Sequence, residues 1–235
     1  IQWKVFVAFL LGGAVPFLFS SLTIRAVGRA AHQIINEVRY QFTQKGVWEG
    51  TVDPDYGKVV SICTGAAQRE LITPALLAIL SPIAVGLLLG LEALAGFLAG
   101  VIVVGQLLAV FMANTGNAWD NTKKSIEDGL YGGKGSDAHK AAVIGDTVGD
   151  PLKDTAGPAL NPLIKVINLV SVLAAALMVV EVNGRWEDRG LTWYTISIGV
   201  AAILIIIGSV WYSRKGESFG QDYDKAEAIK AEGKE

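Results

Sequence analysis

Five predominantly apolar blocks, residues 5–24, 71–91, 93–113, 158–180 and 191–211, constrain this chain more than anything else in it. A helix needs about 20 such residues to cross the hydrocarbon core of a bilayer. In that core only helices and closed barrels satisfy every backbone N–H and C=O. Hydrophobic residues make up 51% of the chain; soluble proteins reach a similar share but spread it evenly along the sequence. Their concentration here predicts an all-α, polytopic transmembrane helix bundle with five spans. Blocks two and three meet at Glu92 and Ala93, which predicts a tight helical hairpin turning there. Trp3, Trp193, Tyr194, Trp211 and Tyr212 fall near block ends, where an interfacial aromatic belt belongs.

Lys and Arg set the orientation, since cytoplasmic segments carry their excess. Residues 25–70 hold Arg25, Arg29, Arg39, Lys45, Lys58 and Arg69, and residues 114–157 hold Lys123, Lys124, Lys134, Lys140 and Lys153. Both segments and the tail beyond Trp211 are therefore expected in the cytoplasm, with the N-terminus outside. After Ile24 the helical spacing of Val27, Ala31, Ile34, Ile35 and Val38 continues the first helix past the membrane surface. Residues 181–213 read as an extracytoplasmic loop and a further span. Residues 214–235 read as a charged, solvated cytoplasmic tail. Cys63 is the only cysteine, which excludes a disulfide framework and a thiolate metal site. No cleavable leader is expected, because the first block lacks a small-residue cleavage site. The opening IQWKVFV reads as a piece of a longer chain.

The polar residues with chemistry cluster at two places. In GDTVGDPLKDTAGP, Asp146, Asp150 and Asp154 recur every four residues with Lys153 among them. On a helix they would share one face, where carboxylates repel unless a cation sits between them. Oxygen-only ligands point to Mg²⁺ or Ca²⁺ rather than zinc, and the spacing does not fit an EF-hand loop. Taken alone, three aspartates read as a solvated acidic face. The second cluster changes that balance: Asp120 sits three and four residues before Lys123 and Lys124, just past another span on the same expected side. Carboxylate plus lysine on two converging helices suits a magnesium–phosphate substrate, because Mg²⁺ takes few carboxylates and bridges to phosphate. Lys165 lies eleven residues after Asp154 in an otherwise membrane-like stretch, on the same predicted stripe and roughly 16 Å deeper. An ionisable residue at that depth marks an ion path or relay. The two readings that follow are hydrolysis coupled to ion movement, or a non-enzymatic cation or phosphate transporter.

The stretches NTGNAWDNTKK, GKGSDAHKAAVIGDTVGDPLKDTAGPALNPLIK and VGRAA…EVRYQF resemble the membrane-bound, ion-translocating pyrophosphatases, from near Ile1 to about Val180. The resemblance implies that residues 1–180 are the last four helices of a larger pump, with cytoplasmic extensions carrying part of its active site, and that one more helix follows. It implies hydrolysis of inorganic pyrophosphate coupled to pumping of H⁺ or Na⁺, with H⁺ favoured, in a homodimer in a prokaryotic plasma membrane. It assigns Mg²⁺ ligation to Asp120, Asp146 and Asp150, and pyrophosphate binding to Lys153 and Lys123. Asp154 would position or activate the attacking water, and Lys165 would belong to the ion gate. The partners expected are pyrophosphate, the lipid membrane and the remainder of the pump, with no nucleic acid. An inactive truncated remnant is the remaining alternative.

Overall fold

The computed structural model describes residues 2–182, 185–188 and 190–215. Long helices dominate it: α1 (Trp3–Phe42), α2 (Tyr56–Leu89), α3 (Leu91–Glu127), α4 (Asp137–Asp150), α5 (Gly157–Met178) and α6 (Trp193–Lys215). A π-helical turn, Pro151–Ala156, joins α4 to α5 without a break. Two four-residue strands, β1 (Val179–Val182) and β2 (Arg185–Asp188), form an antiparallel hairpin before α6. Five helical stretches are long and apolar enough to cross a membrane, so the chain is a polytopic transmembrane helix bundle. Most of the tail expected over residues 214–235 lies outside the described residues.

The helices outrun the bilayer. At 1.5 Å per residue, the 40 residues of α1 span about 60 Å against a hydrocarbon core of about 30 Å. The surplus carries the charged residues beyond the membrane at one end of the bundle. There α1 gives way to a turn-rich loop pinned by Gln41, whose carboxamide accepts from Asp55 N–H at 2.9 Å and donates to Asp55 O at 3.1 Å. Asp55 in turn caps α2 by accepting from Lys58 N–H.

Three expectations need correction. The hairpin between spans two and three turns at Gly90, with φ 97°, and not at Glu92–Ala93. That backbone angle suits glycine and few other residues, whereas Glu92 and Ala93 are already inside α3. The fourth span ends at Met178 rather than Val180, because residues 179–182 pair with 185–188 as strands. The column of aspartates is also interrupted: the π-turn begins immediately after Asp150, so Asp154 does not continue the α-helical stripe of Asp146 and Asp150.

Helix α1 packs most extensively on α3, and α2 on α6. Between spans in lipid there is little hydrophobic driving force, so close backbone approach takes over. At Gly100 a Cβ would lie 2.2 Å from Phe9 O; the α1–α3 crossing therefore tolerates no side chain there. Phe97, Val101, Leu160, Leu163 and Ile167 fill the core around this crossing. Helix α6 is tied to α2 by Thr73 Oγ1 donating to Ser209 O at 3.3 Å. At its charged end, Arg29 donates to Ser213 Oγ while its guanidinium forks onto Glu70.

Candidate functional site: a carboxylate–lysine cluster where α3 meets α4

The cluster sits where α3 and α4 run side by side beyond their apolar portions. Their separation is set by Gly116. A Cβ on Gly116 would fall 2.6 Å from Gly149 O and 2.6 Å from Lys153 Cβ. The indole of Trp119 lies over the gaps left by Gly145 and Gly149, 3.6 and 3.4 Å from where their Cβ atoms would stand. Gly116 against Gly149, with Trp119 over Gly145 and Gly149, thus brings two acidic helix faces together, and the flanking residues form the site.

Helix α3 supplies Asp120, Lys123 and Lys124; α4 supplies Asp146 and Asp150; the π-turn supplies Lys153. Lys153 is central. Its Nζ lies 2.8 Å from Asp120 Oδ2, 2.9 Å from Asp150 Oδ1 and 3.5 Å from Asp146 Oδ1. Lys123 donates to Asp146 and lies 3.5 Å from Asp120 Oδ1, and Lys124 donates to Asp120 at 3.0 Å. Three carboxylates and three ammonium groups balance in charge. The side chains of Lys153 and Asp146 are 10% and 9% exposed, whereas the Asp150 side chain is 49% exposed.

This pairing shifts the titration of its members, all of which stand outside the membrane-spanning segments. The hydrogen bond from Lys153, helped by that from Lys124, holds Asp120 far below the usual carboxylate range. Lys123 lowers Asp146 by donating to it, against the opposing effect of burial. The same bonds raise the lysines: Asp146 raises Lys123, and Asp120 followed by Asp150 raises Lys153 well above the ordinary ammonium range. All four groups are therefore charged across the neutral pH range.

Proline chemistry accounts for the π-turn locally. Pro151 and Pro158 bracket it and have no N–H to continue an α-helical ladder. Gly157 N–H instead reaches back five residues to Leu152 O. Turns of this kind recur at functional sites. Here the turn aims Lys153 at the carboxylates, while Asp154, the next residue, is exposed.

Of the residues predicted from sequence, Asp120, Lys123, Asp146, Asp150 and Lys153 come together. Asp154 and Lys165 do not join them: both are exposed on this chain, and neither side chain makes an ion pair or hydrogen bond among the described residues. Among the described residues no three His, Cys, Asp or Glu side chains are grouped so as to hold a metal ion by themselves. Sequence reasoning paired Lys124 with Asp120, as the structure does, without giving it a role, and missed Gly116 and Trp119. The available signal was spacing: Gly116 lies one helical turn before Asp120, as Gly145 and Gly149 flank Asp146 and Asp150.

Residues 1–174 match the family described as inorganic H⁺ pyrophosphatase. The chain is 58% identical over 90% of its length to a K⁺-insensitive pyrophosphate-energized proton pump of Chloroflexus aurantiacus, covering 26% of that protein. It is 54% identical over 92% of its length to a proton pump of the same description from Streptomyces avermitilis, covering 27% of it. It is 56% identical over 73% of its length to a putative K⁺-stimulated pyrophosphate-energized sodium pump of Clostridium tetani, covering 26% of it. The Chloroflexus match spans 211 residues, and any such stretch of a 235-residue chain has to include residue 211. That match therefore runs through α6, which lies beyond the family segment. The chain spans about a quarter of the length of these relatives. With this extent of identity, a matching segment of 174 residues and five helices fit to cross a membrane, the chain belongs to the inorganic H⁺ pyrophosphatase family.

Proposed function

We propose that the protein containing this chain hydrolyses inorganic pyrophosphate and uses the free energy to pump H⁺, or Na⁺, across a membrane, and that this chain supplies one side of the substrate site and part of the ion path. The observation that carries the proposal is the cluster around Lys153, in a chain whose relatives are named pyrophosphate-energized proton and sodium pumps. The relatives matched over nine-tenths of this chain are named proton pumps, which favours H⁺.

The donor chemistry fits a hard divalent cation. Asp120, Asp146 and Asp150 offer carboxylate oxygens with no sulfur or imidazole among them, the set that Mg²⁺ prefers. These three would hold Mg²⁺ jointly with the substrate; when bound, the cation neutralises phosphate charge. Because Lys153 now satisfies all three carboxylates, substrate binding exchanges lysine–carboxylate bonds for lysine–phosphate bonds. Lys153 and Lys123, both charged, bind and orient phosphate oxygens as point charges. Asp154, exposed beside Lys153 on the π-turn, would hold the attacking water and take its proton. Lys165, on α5 and deeper in the bundle, serves the ion path. The site faces the cytoplasm, following the Lys and Arg distribution, and the working pump is a homodimer.

The test uses the complete protein. Asp150→Asn should abolish pyrophosphate hydrolysis, and any residual activity should need about tenfold more magnesium, the loss of roughly one charge-assisted contact. Near-normal hydrolysis at ordinary magnesium would remove Asp150 from the site.

A further inference from the structure

The two halves of the cluster reach each other across residues 128–136, a connection that has little rigidity of its own. Gly129, Tyr131, Gly132, Gly133 and Gly135 all have positive φ, and apart from a single 3₁₀ turn at Leu130–Gly132 the segment carries no regular structure. The loop's own backbone hydrogen bonds are short-range turns, such as Gly133 N–H to Leu130 O and Ser136 N–H to Gly133 O, so the loop does not by itself lock one helix against the other. One side chain bridges it. The imidazole of His139, in the first turn of α4, accepts from Gly135 N–H at Nδ1, 3.2 Å away. Its other nitrogen, Nε2, lies 3.2 Å from Oε1 of Glu127, the last residue of α3. Since Nδ1 is an acceptor, Nε2 carries the proton and donates to the carboxylate. The ring is four-fifths covered, with 19% of the His139 side chain exposed against 30% for Glu127. The backbone N–H of His139 donates to Oγ of the N-cap Ser136 at 3.1 Å.

We infer that His139 is a positioning residue for the pyrophosphate site, a rivet from the end of α3 to the start of α4 that acts through Glu127 and Gly135. The inference rests on the pyrophosphatase reading. It does not place His139 against substrate. Glu127 is one helical turn beyond Lys123 and Lys124, and His139 lies seven residues before Asp146, so the rivet adds to the Gly116–Gly149 approach, from the loop end, in holding the register in which Asp120 and Lys123 face Asp146, Asp150 and Lys153. Loss of the rivet should weaken capture of a ligand that needs both helices, and affect the chemistry less once both are engaged.

Three substitutions separate the two bonds. His139→Asn keeps an acceptor near the Nδ1 position and loses the donor to Glu127. His139→Gln keeps a donor toward Glu127 and loses the acceptor for Gly135. His139→Ala loses both. In the full-length pump, His139→Ala should raise KM for magnesium pyrophosphate about tenfold, the worth of two ordinary hydrogen bonds, with kcat within about twofold. The other two should fall between it and wild type. Lys140→Ala, which removes an exposed ion pair to Asp137 in the same turn, should leave KM unchanged. Amide exchange, measured alongside, should accelerate across residues 128–140 in His139→Ala. An unchanged KM, or a fall in kcat alone that follows the amount of folded protein, overturns the positioning role. If the wild-type pump hydrolyses no pyrophosphate, the functional reading fails; unaltered exchange in His139→Ala then separately overturns the rivet.

Discussion

Lys153 holds three aspartates on two elements, and it can do so only because Gly116 has no side chain. The obstacle lies at and next to the backbone: the Cβ of an alanine at 116 would meet Gly149 O and Lys153 Cβ, each at 2.6 Å, and Lys153 N at 3.1 Å. None of these atoms is the free end of a flexible chain, so α3 and α4 would have to separate. Overpacking of this kind costs about 1–3 kcal/mol, but the larger effect is on geometry, because a shift of about 1 Å at a reacting centre can cost 10²-fold in rate. Gly116→Ala should therefore lower hydrolysis by far more than it lowers thermal stability, to about a hundredth of wild type. Comparable activity in detergent-solubilised Gly116→Ala and wild-type pump would show that the helices accommodate the methyl group. The chemistry of this cluster was legible in the sequence, because carboxylates and lysines three and four residues apart can only meet on a helix face. The small residue that makes the meeting possible was not, because a glycine in a helix looks the same whether it faces solvent or another backbone.

At the scale of elements the sequence was a good guide to spans and a poor one to the places where helices change. The spans follow from one requirement, that backbone groups in lipid be satisfied within the segment, and an apolar block about 20 residues long announces it. The hairpin turn falls two residues before the junction of the two apolar blocks, because the apolar run continues past Gly90, where the backbone turns with φ 97°. The π-turn was invisible for a deeper reason. Pro151 and Pro158 advertise missing N–H groups, but whether the chain kinks, frays or inserts an extra residue into a turn depends on what packs against it. Here α3 and α1 both pack on the π-turn. Pro151→Ala restores an N–H able to bond Thr147 O in an α-helical ladder. It should tighten the turn, move Lys153 off its three aspartates, and reduce pyrophosphate turnover about tenfold with no loss of folded protein. Unchanged turnover would mean that tertiary packing, and not the proline, dictates the π geometry.

On the whole-molecule scale the decisive fact is that this bundle spans about a quarter of the length of the relatives it matches. The exposed run of α5, with Lys165, Leu169, Val172 and Leu173, is a face awaiting neighbours, and Lys165 is the one ionisable residue on it. A bare ammonium cannot rest against lipid acyl chains without snorkelling or a partner, which is the ground for the transport role proposed for Lys165. The π-turn lies between that residue and the cluster, so in the proposed pump site occupancy would reach the ion path through Asp154 and the α5 register. The roles proposed above, Asp154 in hydrolysis and Lys165 in transport, separate in a paired measurement. In sealed vesicles holding the full-length protein, Asp154→Ala should lose both phosphate release and ion pumping. Lys165→Ala should retain measurable phosphate release, within about tenfold of wild type, while ions moved per pyrophosphate fall. Lumen acidification and ²²Na⁺ uptake, read on the same vesicles as phosphate, also decide between H⁺ and Na⁺. If Lys165→Ala pumps at the wild-type ratio, its ammonium merely snorkels to the surface, and the ion path runs elsewhere in the bundle.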